Sequence, residues 1–137
     1  LLSFFLPMSE KKKDITPTEI RYDKESRTLT LTYTDGKSWD YTAEFLRVYS
    51  PSAEVRGHAP GEEVLQVGKE DVAIEKIDPV GNYAVSLKFD DGHDTGIYSW
   101  DWLHTLGERM EEYWQDYLSK LEAEGIQRMT TSERLAT

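Results

Sequence analysis

Apolar and polar residues alternate in short runs, and twice such a run ends in Asp-Gly. Leu29, Leu31 and Tyr33 lead to Asp35-Gly36, and Val85, Leu87 and Phe89 lead to Asp91-Gly92. A period of two marks a strand with one face buried and the other in water, as in antiparallel sheets. Asp-Gly between such runs predicts a tight hairpin, in the form of a type I′ turn, whose two central residues both need positive φ. Ile20 and Tyr22 precede the first runs, and Trp39 and Tyr41 follow them. Val72, Ile74 and Ile77 precede the second set, and a short strand around Ile97 follows it.

The two sets superimpose. Leu31–Lys37 falls on Leu87–His93 at a constant offset of 56 residues (31 to 87, 37 to 93), Tyr41 then meets Ile97, and Phe45-Leu46 meets Trp102-Leu103 after one inserted residue. Two strand–strand–helix units follow from this repeat. The expected fold class is α+β, an antiparallel sheet built from the two units with one long C-terminal helix packed on it.

The first unit's helix is short, from Ala43 to Tyr49, and Pro51 stops it. The second starts at Ser99, a good N-cap with Asp101 in the first turn, and runs towards Gly125. Leu103, Leu106, Met110, Tyr113, Tyr117 and Leu121 recur at steps of three and four and share one face. A helix over 99–124 would span roughly 39 Å at 1.5 Å per residue, more than a small sheet covers. Trp114 and Leu118 lie beside the apolar stripe and widen it, either to cover a twisted sheet or to meet a partner.

The 137 residues make one domain, read as 15–125 between a flexible lead at 1–14 and a flexible polar tail at 126–137. Within the lead, the apolar stretch Leu1 to Pro7 before Met8 is either a loose segment or a short strand plugged against the core. The longest stretch without a period is 50–71, which carries Pro51, Gly57, His58, Pro60, Gly61 and Gly68 and is expected to be functional or mobile.

Composition narrows the chemistry. Acidic residues outnumber basic ones by 26 to 16, giving a formal charge of −10, which repels nucleic acid and anionic membrane surfaces. The absence of cysteine excludes disulfides, Cys-ligated zinc, iron–sulfur ligation by the chain's own thiolates and thiol nucleophiles. No apolar run approaches the roughly 18–20 residues of a membrane span. The compartment expected from this composition is the cytoplasm, with no nucleic-acid or membrane partner.

His58, His93 and His104 are the histidines. His104 falls on the long helix beside Leu103 and reads as a packing or surface residue. His93 sits among Asp90, Asp91 and Asp94, whose carboxylates are expected to favour its charged form. This cluster is either a solvated hairpin turn or the centre of a metal or small-ligand site, with His58 joining if the long loop folds back. No facial triad, phosphate-binding glycine loop, nucleophile elbow or zincin helix is present. The expectation is a chain that is not an enzyme, with no catalytic residue.

Four stretches carry a family resemblance: Val80-Gly81-Asn82-Tyr83-Ala84-Val85; Phe89-Asp90-Asp91-Gly92-His93-Asp94-Thr95-Gly96-Ile97-Tyr98-Ser99-Trp100-Asp101-Trp102-Leu103; Glu44-Phe45-Leu46-Arg47; and Glu54-Val55-Arg56-Gly57-His58. Over roughly residues 15–125 the chain resembles the gamma-butyrobetaine hydroxylase-like N-terminal domain family, in its short stand-alone bacterial form. In carnitine-pathway hydroxylases a similar domain precedes the oxygenase domain and binds a structural zinc through three Cys and one His. The resemblance places those ligands at Ser50, Ser52, Val55 and His93. Only His93 keeps a ligand side chain, so the structural zinc is expected to be lost and no cofactor is expected. Similar domains are also fused to iron–sulfur carrier ATPases.

The resemblance therefore implies a non-catalytic accessory or protein-interaction domain that assists iron–sulfur or oxygenase-related proteins. The alternative is a metal- or small-ligand-binding domain centred on His93. The residues singled out for a ligand or partner surface are His58, Asp91, Asp94, Trp114 and Leu118, with an unidentified protein or a second copy of the chain as partner.

Overall fold

A computed structural model describes residues 15–129 and Glu133. The lead expected at 1–14 lies outside the described residues. The elements run β1 (Glu19–Asp23), β2 (Thr28–Thr32), β3 (Ser38–Thr42), α1 (Ala43–Val48), α2 (Ala53–Arg56), β4 (Ile74–Val80), β5 (Ala84–Phe89), β6 (Gly96–Ser99), α3 (Trp100–Glu108) and α4 (Met110–Ala123). The fold is mixed α+β with antiparallel strands, as the periodicity requires. The strands form two three-stranded sheets, ordered β1-β2-β3 and β4-β5-β6, rather than one.

Register explains the alternation. Leu29 faces Tyr41 and Leu31 faces Trp39 in the first sheet, while Val85 faces Tyr98 and Leu87 faces Gly96 in the second. Leu29, Leu31, Tyr41, Val85, Leu87 and Tyr98 are all almost fully buried in one core. The opposite faces carry residues such as Thr30 and Asp40, joined at 2.7 Å across the strands.

Both Asp-Gly hairpins form, though not as type I′ turns. Only the glycines have positive φ, 86° at Gly36 and 93° at Gly92. The Gly36 N–H donates to Tyr33 O at 2.9 Å, and the Tyr33 N–H donates to Lys37 O at 2.8 Å. The second hairpin repeats this through Gly92 to Phe89 at 3.1 Å and Phe89 to His93 at 2.9 Å. Each is a longer loop closed by a left-handed glycine, which acts as a bulge.

The repeat is real, but its insertion lies earlier than the sequence placed it. The extra residue falls between His93 and Gly96, so Tyr98, not Ile97, takes the place of Tyr41. The offset is 57 from there on (41 to 98, 42 to 99, 46 to 103), and Ile97 is left exposed. Thr42 and Ser99 then cap α1 and α3 alike, accepting from the N–H of Phe45 and of Trp102, each at 3.0 Å.

The two units exchange hydrogen bonds reciprocally. The Tyr41 hydroxyl donates to Leu103 O on α3 at 2.7 Å, and the Tyr98 hydroxyl donates to Leu46 O on α1. Residue i of one unit contacts residue j of the other and the converse also holds, which is the pattern of a two-fold axis. Leu46 lies in the last turn of a six-residue helix, where carbonyls lack intrahelical partners.

The long helix is not continuous. Arg109 takes φ −117° and ψ 29°, dividing the expected 99–124 helix into α3 of 9 residues and α4 of 14. The break comes two residues after Gly107, where any Cβ would fall inside the Trp39 indole. Trp39 thus presses on the helix backbone at a position that only glycine permits. Beyond α4, Ile126 packs on the core, and Arg128 and Met129 are hydrogen-bonded to it, so the described chain stays attached past the expected boundary at 125.

Tyr98→Phe leaves the buried Leu46 carbonyl without a partner, and Tyr41→Phe does the same to a buried bond of α3. Each should lose about 1–3 kcal/mol in urea denaturation. A loss under roughly 0.5 kcal/mol, the range of neutral surface changes, would show that the exchange is ornamental.

Candidate functional site

The site grows from the ends of α1 and α2 and the second hairpin. Pro51 ends α1, and Ser52 caps α2 by accepting the Glu54 N–H at 3.0 Å. This places Ser50 and Glu54 on either side of a tight corner. On the hairpin, Asp91 Oδ1 accepts the His93 N–H at 3.1 Å and fixes the turn. Gly96 completes the approach, because a Cβ there would lie 2.7 Å from Ser50 Oγ.

His93 lies between these corners. Its Nε2 is 2.9 Å from Ser50 Oγ, and its Nδ1 is 3.0 Å from Glu54 Oε1. A carboxylate can only accept, so the neutral ring carries its proton on Nδ1 and Nε2 accepts from the Ser50 hydroxyl. Ser50 Oγ in turn accepts the Ser52 N–H at 3.3 Å. Thr95 Oγ1 closes the circuit, 3.0 Å from Ser52 Oγ and 3.3 Å from Glu54 Oε1.

The order serine, imidazole, carboxylate is that of a nucleophilic triad. Exposure runs the wrong way for one. Ser50 is 0% exposed and His93 6%, whereas the Glu54 side chain is 65% exposed. No substrate atom reaches a hydroxyl with no surface, so the circuit is a clasp between α1, α2 and the hairpin.

Three charged groups back the clasp. Asp91 Oδ2 accepts from Arg47 Nε at 2.9 Å and from Lys69 Nζ at 2.6 Å, and Arg47 also donates to Gln66 Oε1 at 3.0 Å. Burial alone would raise the Asp91 carboxyl, but the Lys69, His93 amide and Arg47 hydrogen bonds outweigh it and hold it at about 2. Burial, and then the Arg47 charge, push His93 below its ordinary value despite the Glu54 carboxylate. The expectation of a charged imidazolium is thus corrected. Its flanking acids were visible in the sequence, whereas its burial and the approach of Arg47 were not.

The other sequence-singled residues are scattered. Asp91 belongs to the site, but Asp94 is exposed and takes no part in the clasp. His58 is exposed too, and its N–H donates to Glu62 Oε1 at 3.0 Å, so the contacts of His93 are made without it. Trp114 and Leu118 are half-buried and pack against the core, Trp114 with its ring centroid 6.2 Å from Phe45. Glu54, Thr95, Gln66 and Lys69 were missed. A serine N-cap followed two residues later by Glu54 was the only local signal.

Zinc does not suit this donor set. At the four expected positions stand two hydroxyls, the buried Val55 and one imidazole, whose Nε2 already bonds Ser50. Zinc needs anionic thiolates or several imidazoles and carboxylates in a tetrahedron. Among the described residues no group of three or more His, Asp or Glu is placed to hold a metal ion. No described helix is long and apolar enough to cross a membrane.

Elsewhere the surface carries exposed Val64 and Val67 on the 57–73 loop, with Tyr83 in the turn between β4 and β5 and Ile97 on β6. A cleft of about 230 Å³ opens beside Val64, lined also by Val55, Arg56, Tyr117 and Lys120.

Because the unfolded chain protonates His93 first as the pH falls, its contribution to stability is complete above about pH 6.5 and declines below it. Urea denaturation at about pH 7.5 and 5.5 should show a loss for the native chain that His93→Gln reduces. Equal losses in both would contradict the neutral clasp.

Comparison with known proteins places the chain. The family described as gamma-butyrobetaine hydroxylase-like, N-terminal, matches residues 20–104, more than half of the chain. Two proteins known from NMR solution structures are similar, each with a TM-score of 0.71. One is 50% identical over 82% of this chain and 88% of its own, and the other is 45% identical over 87% and 89%. A third, a protein of unknown function of the DUF971 family from Acidithiobacillus ferrooxidans, is 39% identical over 68% of this chain and 93% of its own, with a TM-score of 0.58. No curated protein matches. The chain belongs to the gamma-butyrobetaine hydroxylase-like N-terminal family.

Proposed function

We propose that this chain is a non-catalytic accessory domain that acts in the cytoplasm by binding another protein. The observation that carries the reading is the burial of Ser50 and His93, which commits the acid–base groups of the site to holding α1, α2 and the hairpin together. Catalysis needs a group that meets substrate. What the molecule leaves exposed is apolar instead: Val64 is 54% and Val67 47% exposed, on a loop tied down by Arg47–Gln66 and Lys69–Asp91. A loop held rigid with its valines outward loses little entropy on docking. The iron–sulfur and oxygenase-related proteins implied by the family resemblance are the class in which to seek the partner.

The experiment is photo-crosslinking from position 62 or 63 in cells, with and without the double change Val64→Asp and Val67→Asp. Surface substitutions of this kind shift stability by about 0.5 kcal/mol or less. The double variant should therefore fold as the native chain does and lose its crosslinked complex. An unchanged complex, or hydrolytic activity abolished by Ser50→Ala, would overturn the reading.

A further inference from the structure

We propose that Glu44, Trp114 and Glu70 form an arginine-reading notch, which the chain's own residues 126–129 fill as a strap and which takes an arginine-bearing extended segment of a partner protein in exchange. The proposal rests on the interaction-domain reading and specifies the partner's chemistry.

Glu44 is fixed by the fold. It stands in the first turn of α1, and its side chain is only 5% exposed. Arg128 meets it edge-on, Nε to Oε2 at 2.7 Å and a terminal nitrogen to Oε1, the fork that guanidinium makes with carboxylate. The guanidinium carbon also lies 5.2 Å from the centre of the Trp114 ring. One residue on, the Met129 N–H donates to Glu70 Oε2 at 2.7 Å. Edge, face and following main-chain amide are all read, which is how a groove recognises a peptide.

The strap itself has no secondary structure. Gly125, at φ 70°, ends α4 and turns the chain back, with the Ile126 N–H donating to Leu121 O at 2.9 Å. Residues 126–129 are irregular, and the Arg128 side chain is 38% exposed, so the base comes from a segment without regular secondary structure while the acid beneath it is buried. Lifting the strap takes from Glu44 both hydrogen bonds of the fork and from Trp114 the guanidinium beside its ring. A second guanidinium restores both contacts, whereas lysine, a point charge, cannot reproduce the fork. A cavity of about 290 Å³ beside Arg128, lined by Asp40, Glu44, Glu111 and Trp114, offers an incoming segment space and negative charge. The chain's formal charge of −10 favours the same basic partner.

The test uses the intact chain and a capped peptide, Gly-Ile-Gln-Arg-Met-Thr, as probe, followed by NMR at the Trp114 indole. Arg128→Ala should bind the peptide at least roughly tenfold more tightly than the native chain. Replacing the peptide's arginine with alanine, or adding Glu44→Gln to the protein, should abolish that gain. Equal binding of both peptides, or none by Arg128→Ala, would overturn the proposal. Should Arg128→Ala fail to fold, hydrogen exchange on the native chain decides. The Met129 amide should exchange roughly tenfold faster than those of Tyr117 and Leu121, and faster still with the arginine peptide, whereas exchange at the helix rate would overturn the strap. A concentration-dependent dimer lost in Arg128→Ala would assign the notch to a second copy and overturn the partner assignment. Failure here with a crosslinked complex that still depends on Val64 and Val67 leaves the interaction-domain reading standing; a complex unchanged by Val64→Asp and Val67→Asp overturns that reading even where the arginine peptide binds.

Discussion

Two tyrosines hold the architecture together. Tyr41 of the first unit bonds a carbonyl of α3, and Tyr98 of the second bonds a carbonyl of α1. Each sheet has three strands and one apolar face, which is buried against the rest of the core. The exchange fixes how one unit sits on the other, and the core around Leu29, Leu31, Val85 and Leu87 is closed by that placement. A buried, directional bond specifies an arrangement that apolar contact alone leaves loose.

The approximate symmetry is broken where function is sought. Trp39 corresponds to Gly96, and Gly107 corresponds to Ser50, each at the offset of 57. On one side a large ring presses on a bare helix backbone; on the other a bare strand lets a serine hydroxyl approach the hairpin. The space spared by Gly96 admits the bond between Ser50 and His93, and the extra residue before Gly96 accommodates the changed register. His104, which corresponds to Arg47, instead stacks edge-on with Tyr33 and Trp39, their centroids 5.9 and 5.1 Å away. The two halves share one frame, and the exchange of large and small residues makes only one of them polar at this corner, where hydrogen bonds join α1, α2 and the second hairpin.

Much of the fold was legible in the sequence, because it is written in local signals. Alternation, Asp-Gly and the cap Ser99 act over a few residues, and the repeat showed their pairing. What was hidden depended on distant residues. The break at Arg109 lies two residues past Gly107, on which Trp39, far away in sequence, presses. The protonation of His93 was misread because neighbours in the chain are acidic while neighbours in space include Arg47. The sequence leaves Trp114 and Leu118 open between covering the sheet and meeting a partner; Trp114 packs with Phe45 and lies against Arg128, from a segment whose composition marks it as tail.

The account turns on His93 as a neutral, hydrogen-bonded part of the frame. Nitrogen-detected NMR of the imidazole across a pH titration, with and without equimolar zinc, measures this directly. The account predicts a protonated Nδ1, an unprotonated Nε2, a titration below that of a free histidine, and no response to zinc. A zinc-dependent shift of Nε2, or titration above the free value, would contradict it.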